Sequence, residues 1–262
     1  MKCFDRPSPN FDDRADGAKP ELIIVHYTSM DSTEAALERL TDPVAKVSSH
    51  YLIDEKGNIF TLVDEEKRAW HAGVSSWMGK DDVNSRSIGI ELSNRNGEPY
   101  TNQQLFALAI LCKDIMQRNH IPPENIIGHS DVAPGRKLDP GTHFPWQKMA
   151  RHDVGRWPVP TLADEFNAAS AAKSPLQLKA LFNEAGYTVH AHGKDKPSLK
   201  EVIFAFQQHF EPEVFENGTP GKATETTVAR LRAIARMNRE NMAANNTPAP
   251  PKPPAAPKPP AP

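Results

Sequence analysis

The pattern of apolar and polar positions changes character along the chain. "ELIIVHYT", residues 21–28, is an almost continuous apolar run, the pattern of a strand covered on both faces. It ends in His26. The spacing over residues 32–40 predicts a helix. "VSSHYLID" and "NIFTLV" then read as two strands joined through Glu55, Lys56, Gly57 and Asn58, a hairpin. In "SIGIELS", Ile88, Ile90 and Leu92 share one face while Gly89 and Glu91 share the other, because side chains alternate along a strand. Thr101 followed by Gln104 resembles a capping box. Behind it Leu105, Leu108, Ala109, Cys112, Ile115 and Met116 keep helical spacing until Ile121, Pro122 and Pro123 stop it. That helix is expected to cover the sheet, and "NIIGHSDV" supplies the last strand pattern.

Beyond "VGRWPVP" the strand patterns cease. Helices are predicted over 175–185, over 198–210 with Val202, Ile203, Phe206 and Phe210 on one face, and over 224–237 with Val228, Leu231 and Ile234. The expected division is an extension over 1–19, an α/β domain over 20–153, a linker over 154–173, a three-helix domain over 174–240 and a tail over 241–262. The tail, "TPAPPKPPAAPKPPAP" at its end, is too rich in proline to pack a core; it reads as a spacer or as a docking segment for a proline-binding partner.

Composition narrows the function classes. The 262 residues carry 38% hydrophobic and 24% charged residues and a net charge of -2, which fits a soluble globular protein and argues against a basic nucleic-acid surface. Cys3 and Cys112 are the two cysteines, and Cys112 falls on an apolar helix face, so a disulfide framework is not expected. No run of roughly 18 apolar residues is present for a membrane span, and the start lacks the hydrophobic stretch of a secretory signal. Cys3 could suggest a lipoprotein, but a lipobox needs an apolar segment before the cysteine and only Met1 and Lys2 precede it here, so a lipid anchor is not the expectation. The expectation is a cytoplasmic protein, or a periplasmic or wall-associated one if exported by another route; its oligomeric state is not readable.

The candidate chemistry concentrates in "GHSDVAPGRKLDPG". His129 and Asp139 lie ten residues apart, with Lys137 two before the aspartate. Together with His26 they make two imidazoles and a carboxylate, the ligand set of a catalytic zinc that keeps a fourth position open. In an extended segment Lys137 projects to the side of Asp139, where its ammonium could steady an oxyanion; otherwise it is a solvated lysine. Glu91 is aimed away from the core with Gly89 leaving room beside it, toward a substrate or as the solvated face of an edge strand. "RAWHAGVSSW" adds Trp70 and Trp77, which suit either a groove that stacks on a sugar or plugs beneath a loop.

Taken in order, "VHYT", "SSHYLID", "AWHAG", "NSRSIGIEL" and "GHSDVAPGRKLDPG" resemble the zinc-dependent N-acetylmuramoyl-L-alanine amidases, whose fold is shared with the peptidoglycan recognition proteins. The resemblance implies an α/β fold with a mixed central sheet flanked by helices. It implies His26, His129 and Asp139 as ligands of Zn2+, Lys137 as oxyanion stabiliser, Glu91 as acid/base carboxylate, and Trp70, His71, Ala72, Asn84 and Arg86 as substrate-binding. The segment after residue 175 is similar, more weakly, to the peptidoglycan-binding helical module that follows such domains. The implied activity is hydrolysis of the amide between N-acetylmuramic acid, or its anhydro form, and L-alanine in peptidoglycan or muropeptides. A non-catalytic peptidoglycan-fragment binder on the same fold is the alternative.

Overall fold

In a computed structural model, which describes residues 2–95, 98–189 and 197–245, short strands and helices alternate up to residue 132. They are β1 (Cys3–Asp5), β2 (Phe11–Asp13), β3 (Leu22–Tyr27), α1 (Thr33–Thr41), β4 (Tyr51–Ile53), β5 (Ile59–Thr61), β6 (Lys67–Ala69), β7 (Ser76–Trp77), β8 (Lys80–Asp81), α2 (Val83–Arg86), β9 (Ser87–Leu92), α3 (Asn102–Asn119), β10 (Ile126–Gly128) and α4 (His129–Val132). The remainder is helical: α5 (Trp146–Ala150), α6 (Leu162–Glu165), α7 (Ala168–Ala171), α8 (Pro175–Ala185), α9 (Leu199–Phe210), α10 (Val214–Asn217) and α11 (Glu225–Asn245). The proline-rich tail lies, from residue 246 on, outside the described residues.

The main sheet has six strands in the order β1-β5-β4-β9-β3-β10, with β4 and β5 antiparallel and the other pairs parallel. The near-continuous apolar run thus becomes an interior strand, as its lack of alternation predicts. β9 is interior too, lying between β4 and β3, so Glu91 is not on an edge strand. The first residues, expected as an extension, contribute the edge strand β1. "NIIGHSDV" is strand only through Gly128; His129 already begins α4.

Each face of the sheet carries its own core. On one, Ile23, Val25, Ile88, Ile90 and Leu92 pack against Leu105, Leu108, Leu111, Cys112 and Ile115 of α3. Thr101 caps that helix through Gln104 N, whereas the Gln104 side chain reaches Ile53 O and Ser93 O and stitches the helix to the sheet. On the other face, Leu22, Ile24 and Ile127 join Phe182 of α8, Val202, Phe206 and Phe210 of α9, and Val228, Leu231 and Ile234 of α11 in one continuous cluster. An apolar sheet face must be covered, and here the C-terminal helices cover it. Residues 154–173 hold α6 and α7, which pack on α11. Gly186, in the left-handed region at φ +107°, closes α8 against Trp77; a Cβ there would meet the indole at 2.9 Å. Among the described residues no helix is long and apolar enough to cross a membrane.

Candidate metal centre and its cleft

β9, β3 and β10 run parallel side by side, so their carboxyl ends open at one rim. His26, near the end of β3, lies in register with Glu91 on β9. His129 follows β10 as the first residue of α4. The chain then loops out and returns, and Asp139 O accepts Ser130 N–H at 2.9 Å, which sets the aspartate beside α4. His26 Nδ1 is 2.9 Å from His129 Nδ1 and 2.9 Å from Asp139 Oδ2, and His129 Nδ1 is 3.0 Å from the same oxygen. All three side chains are buried. Among the described residues they are the one group of three such side chains placed to hold a metal ion.

The nitrogens facing away bear on how those facing in could serve as ligands. His129 Nε2 is 3.1 Å from Ala72 O, an acceptor, so it carries that ring's proton and Nδ1 presents a lone pair. Burial pushes His26 down to about 4, with His129 adding to the effect, so its imidazole is neutral. Burial opposes ionisation of Asp139, but His129 and His26 outweigh it and hold the carboxyl far below the usual range. Two imidazole nitrogens and a carboxylate oxygen therefore face one point, a set that fits a divalent cation.

The cleft over this point has a volume of about 340 Å³. Glu91 and Lys137 both line it, together with Tyr27, Ser29, Arg39 and Trp70. Glu91 Oε2 is buried with no hydrogen-bond partner among the described residues. Burial pushes its carboxyl up to about 8, the Asp139 charge adds to this, and Lys137 opposes it. The Lys137 backbone N–H bonds Ala133 O, which turns the chain back over α4. Arg136 ties this loop to the opposite wall through Val74 O at 2.7 Å and through Ala72 O.

Of the residues expected to bind substrate, Trp70 stands on the cleft wall, its indole N–H donating to Asp12 at 2.7 Å. Of the other four, His71 alone lines the cleft. Ala72 is buried and acts through its carbonyl, behind His129. Asn84 is buried and accepts both His71 N–H and Ala72 N–H with Oδ1, fixing the loop that carries them. Arg86 pairs with Glu21 and with the carbonyls of Trp77 and Lys80, away from the cleft. His71 reaches the cleft floor, yet it is buried behind His26, 3.0 Å from its Nε2. Trp77 is a core residue packed on Tyr187. The room at Gly89 is filled by the His71 ring; it does not open toward a substrate.

The sequence profile of the N-acetylmuramoyl-L-alanine amidase family matches residues 16–142. The N-acetylmuramoyl-L-alanine amidase AmiD of Escherichia coli (strain K12) is 37% identical over 247 residues, which cover 84% of this chain and 85% of that relative. The chain belongs to the N-acetylmuramoyl-L-alanine amidase family. Its fold also matches AmpDh3 from Pseudomonas aeruginosa in complex with anhydromuramic pentapeptide, with a TM-score of 0.73 and 32% identity over 86% of this chain and 95% of that one. The 1,6-anhydro-N-acetylmuramyl-L-alanine amidase AmpD of Haemophilus influenzae is 35% identical over 164 residues, 56% of this chain but 89% of the relative. An amidase of that family therefore exists without a counterpart to much of this chain.

In this amidase several buried residues shape the site that the sequence left without a role. Asp131 Oδ2 accepts Gly128 N–H at 2.7 Å and so braces the turn that presents His129. The same carboxylate receives Tyr187 OH at 2.5 Å and lies 2.7 Å from His209 Nδ1, both from the helical region. Arg14 is buried and donates to the carbonyls of Glu65, Ser85 and Ser87, locking the N-terminal segment beneath the loops. An acid two residues after His129 was the available signal, since it falls in the first turn of α4.

Proposed function

We propose that this amidase hydrolyses the amide between the lactyl group of N-acetylmuramic acid, or of its anhydro form, and the first L-alanine of the stem peptide, with His26, His129 and Asp139 holding Zn2+. The observation that carries the reading is the convergence of two imidazole lone pairs and a carboxylate on the floor of a cleft that also holds Glu91 and Lys137. Support for the substrate comes from relatives named as amidases of N-acetylmuramyl-L-alanine and from the AmpDh3 complex with anhydromuramic pentapeptide.

Zinc in such a site supplies Lewis acidity and makes hydroxide available near neutral pH. The residues around it divide the remaining work. Glu91, with a buried oxygen facing the cleft, takes the proton of the attacking water and returns it to the leaving amine. A carboxyl raised to about 8 by burial titrates near neutrality, the range in which a group can both take up and give back a proton. Lys137 faces the carbonyl oxygen as it becomes negative, where one well-placed donor is worth about 3 kcal/mol. Trp70 offers a flat apolar wall to the sugar ring or the peptide.

The direct test is mass spectrometry of a defined anhydro-muropeptide incubated with zinc-replete and with chelated protein. A free-amine peptide and a muramic-acid fragment are expected only with zinc. An intact muropeptide in both samples removes the hydrolytic reading, and equal cleavage in both removes the metal from it.

A further inference from the structure

His129 has its outward nitrogen fixed by a backbone carbonyl, Ala72 O, but His26 has none in the corresponding place. Its Nε2 meets another imidazole, His71 Nδ1, at 3.0 Å. His71 Nε2 in turn lies 3.2 Å from Ser87 Oγ, and Ser87 Oγ–H donates to Val83 O at 2.6 Å. All three side chains and the carbonyl's residue are buried.

The direction of this chain follows from counting protons. A hydroxyl has one proton, and Val83 O takes it, so Ser87 Oγ can only accept from His71. His71 must then carry its proton on Nε2 and present a lone pair at Nδ1. That lone pair accepts from His26, which places the His26 proton on Nε2 and leaves Nδ1 bare, the atom that faces His129 and Asp139. The opposite order would aim an N–H at the metal position.

The strand sequence shows how the device is built. Ser87, Gly89 and Glu91 alternate onto one face of β9. Ser87 ends the chain of bonds, Glu91 faces the cleft, and Gly89 leaves the gap between them that the His71 ring occupies. A Cβ at residue 89 would stand 2.5 Å from His71 Cγ and 2.7 Å from Nδ1, a collision with a buried ring that would have to shift.

We infer that His71 is a positioning residue, which with Ser87 and Gly89 fixes His26 as an Nδ1 ligand and thereby sets the affinity of the site for its metal. The inference rests on the reading of His26, His129 and Asp139 as a metal site and adds a control on that site which the ligands alone do not contain.

Zinc affinity of the full chain, measured by competition with a chromophoric chelator, tests it. His71→Ala and Gly89→Ala are each expected to weaken binding roughly 10- to 100-fold, the usual cost of losing a partner behind a ligand. His71→Asn is expected to recover most of the loss, because its Oδ1 can stand where Nδ1 stood and accept from His26. Ser87→Ala is expected to cause a smaller loss. Unchanged affinity in His71→Ala overturns the inference, and so does His71→Asn binding as weakly as His71→Ala, which would make the ring a packing element only. If His71→Ala does not fold, nitrogen-15 NMR of the unmodified zinc-loaded protein decides: a proton on His71 Nε2 is expected, and a proton on Nδ1 overturns the relay. Failure of the unmodified protein to bind zinc would instead refute the metal reading itself.

Discussion

The molecule buries two histidine–aspartate constellations about α4, and they have opposite characters. Around Asp139, two imidazoles approach one carboxylate oxygen with their lone pairs inward, beneath an open cleft. Around Asp131, one imidazole, one phenol and one backbone N–H share two carboxylate oxygens, and nothing points at an empty centre. His209 is moreover sandwiched between Trp146 and Phe210, with ring centroids 3.8 and 3.7 Å away, which seals it from solvent. Residue types and distances are alike in the two places. What separates a ligand set from a clamp is whether the electron pairs of the acceptors are already used, and whether a substrate can reach them.

Breaking each constellation should expose that difference most plainly. Asp139→Ala is expected to lower kcat/KM on an anhydro-muropeptide by at least about a thousandfold, since losing a ligand removes both the Lewis acid and the hydroxide source. It should also erase the gap between the melting temperatures of zinc-loaded and chelated protein, because that gap is the free energy of metal binding to the folded state. Asp131→Ala should behave otherwise. It leaves Tyr187 OH, Gly128 N–H and His209 without their acceptor, and breaking such a buried pair costs about 3–5 kcal/mol. Unfolding curves with and without zinc should fall together while the gap between them persists. A variant at 131 that loses zinc with no loss of stability would show that the clamp is part of the metal site.

Within the cleft, Glu91→Gln and Lys137→Ala sharpen the comparison because neither residue is among the proposed ligands. Each is expected to retain one zinc per chain while kcat falls about 100- to 1000-fold, the range for losing a proton carrier or an oxyanion donor. KM should move less than kcat, since both groups act mainly on charge that develops in the transition state. Zinc content by elemental analysis beside single-turnover kinetics checks this; normal turnover in either variant takes that residue out of the mechanism.

The two constellations were not equally legible in the sequence. His26, His129 and Asp139 each stand next to a readable strand end or a stiff loop, and the order of the motifs pointed to their common purpose. Their meeting depends on β9, β3 and β10 being parallel neighbours, which periodicity alone does not supply. Asp131 was hidden because "NIIGHSDV" reads as one strand although α4 begins at His129, and because its partners Tyr187 and His209 lie 56 and 78 residues away. Asn84 and Arg86 were expected to bind substrate from their place in "NSRSIGIEL", yet their hydrogen bonds hold backbone in place, a role that side-chain type does not reveal. The helices of the second half were readable from their apolar faces, all three starting within a residue of the predicted positions, though the last runs on to Asn245. That those faces continue the core beneath β3 was not, since a helix stripe does not name what it packs against.

The smallest expected effect concerns how the open constellation weighs on stability. In the metal-free protein the Glu91 carboxyl is raised from 4.5 to about 8, chiefly by burial. Between those values the folded chain holds a proton that the unfolded chain releases, so stability must fall as pH rises from about 4.5 to 8 and level off above. Glu91→Gln abolishes this dependence. In chelator the variant should therefore match the unmodified protein near pH 4.5 and exceed it by about 1–2 kcal/mol at pH 8, after allowance for solvent at the cleft mouth. Denaturant unfolding across that range measures it. The clamp at Asp131 provides the contrast: its oxygens already have donors, so removing its charge should lower stability, whereas removing the unpartnered charge of Glu91 should raise it. If Glu91→Gln is the less stable protein at pH 8, the carboxylate is satisfied in the folded state and is not held ready for a proton from substrate or water.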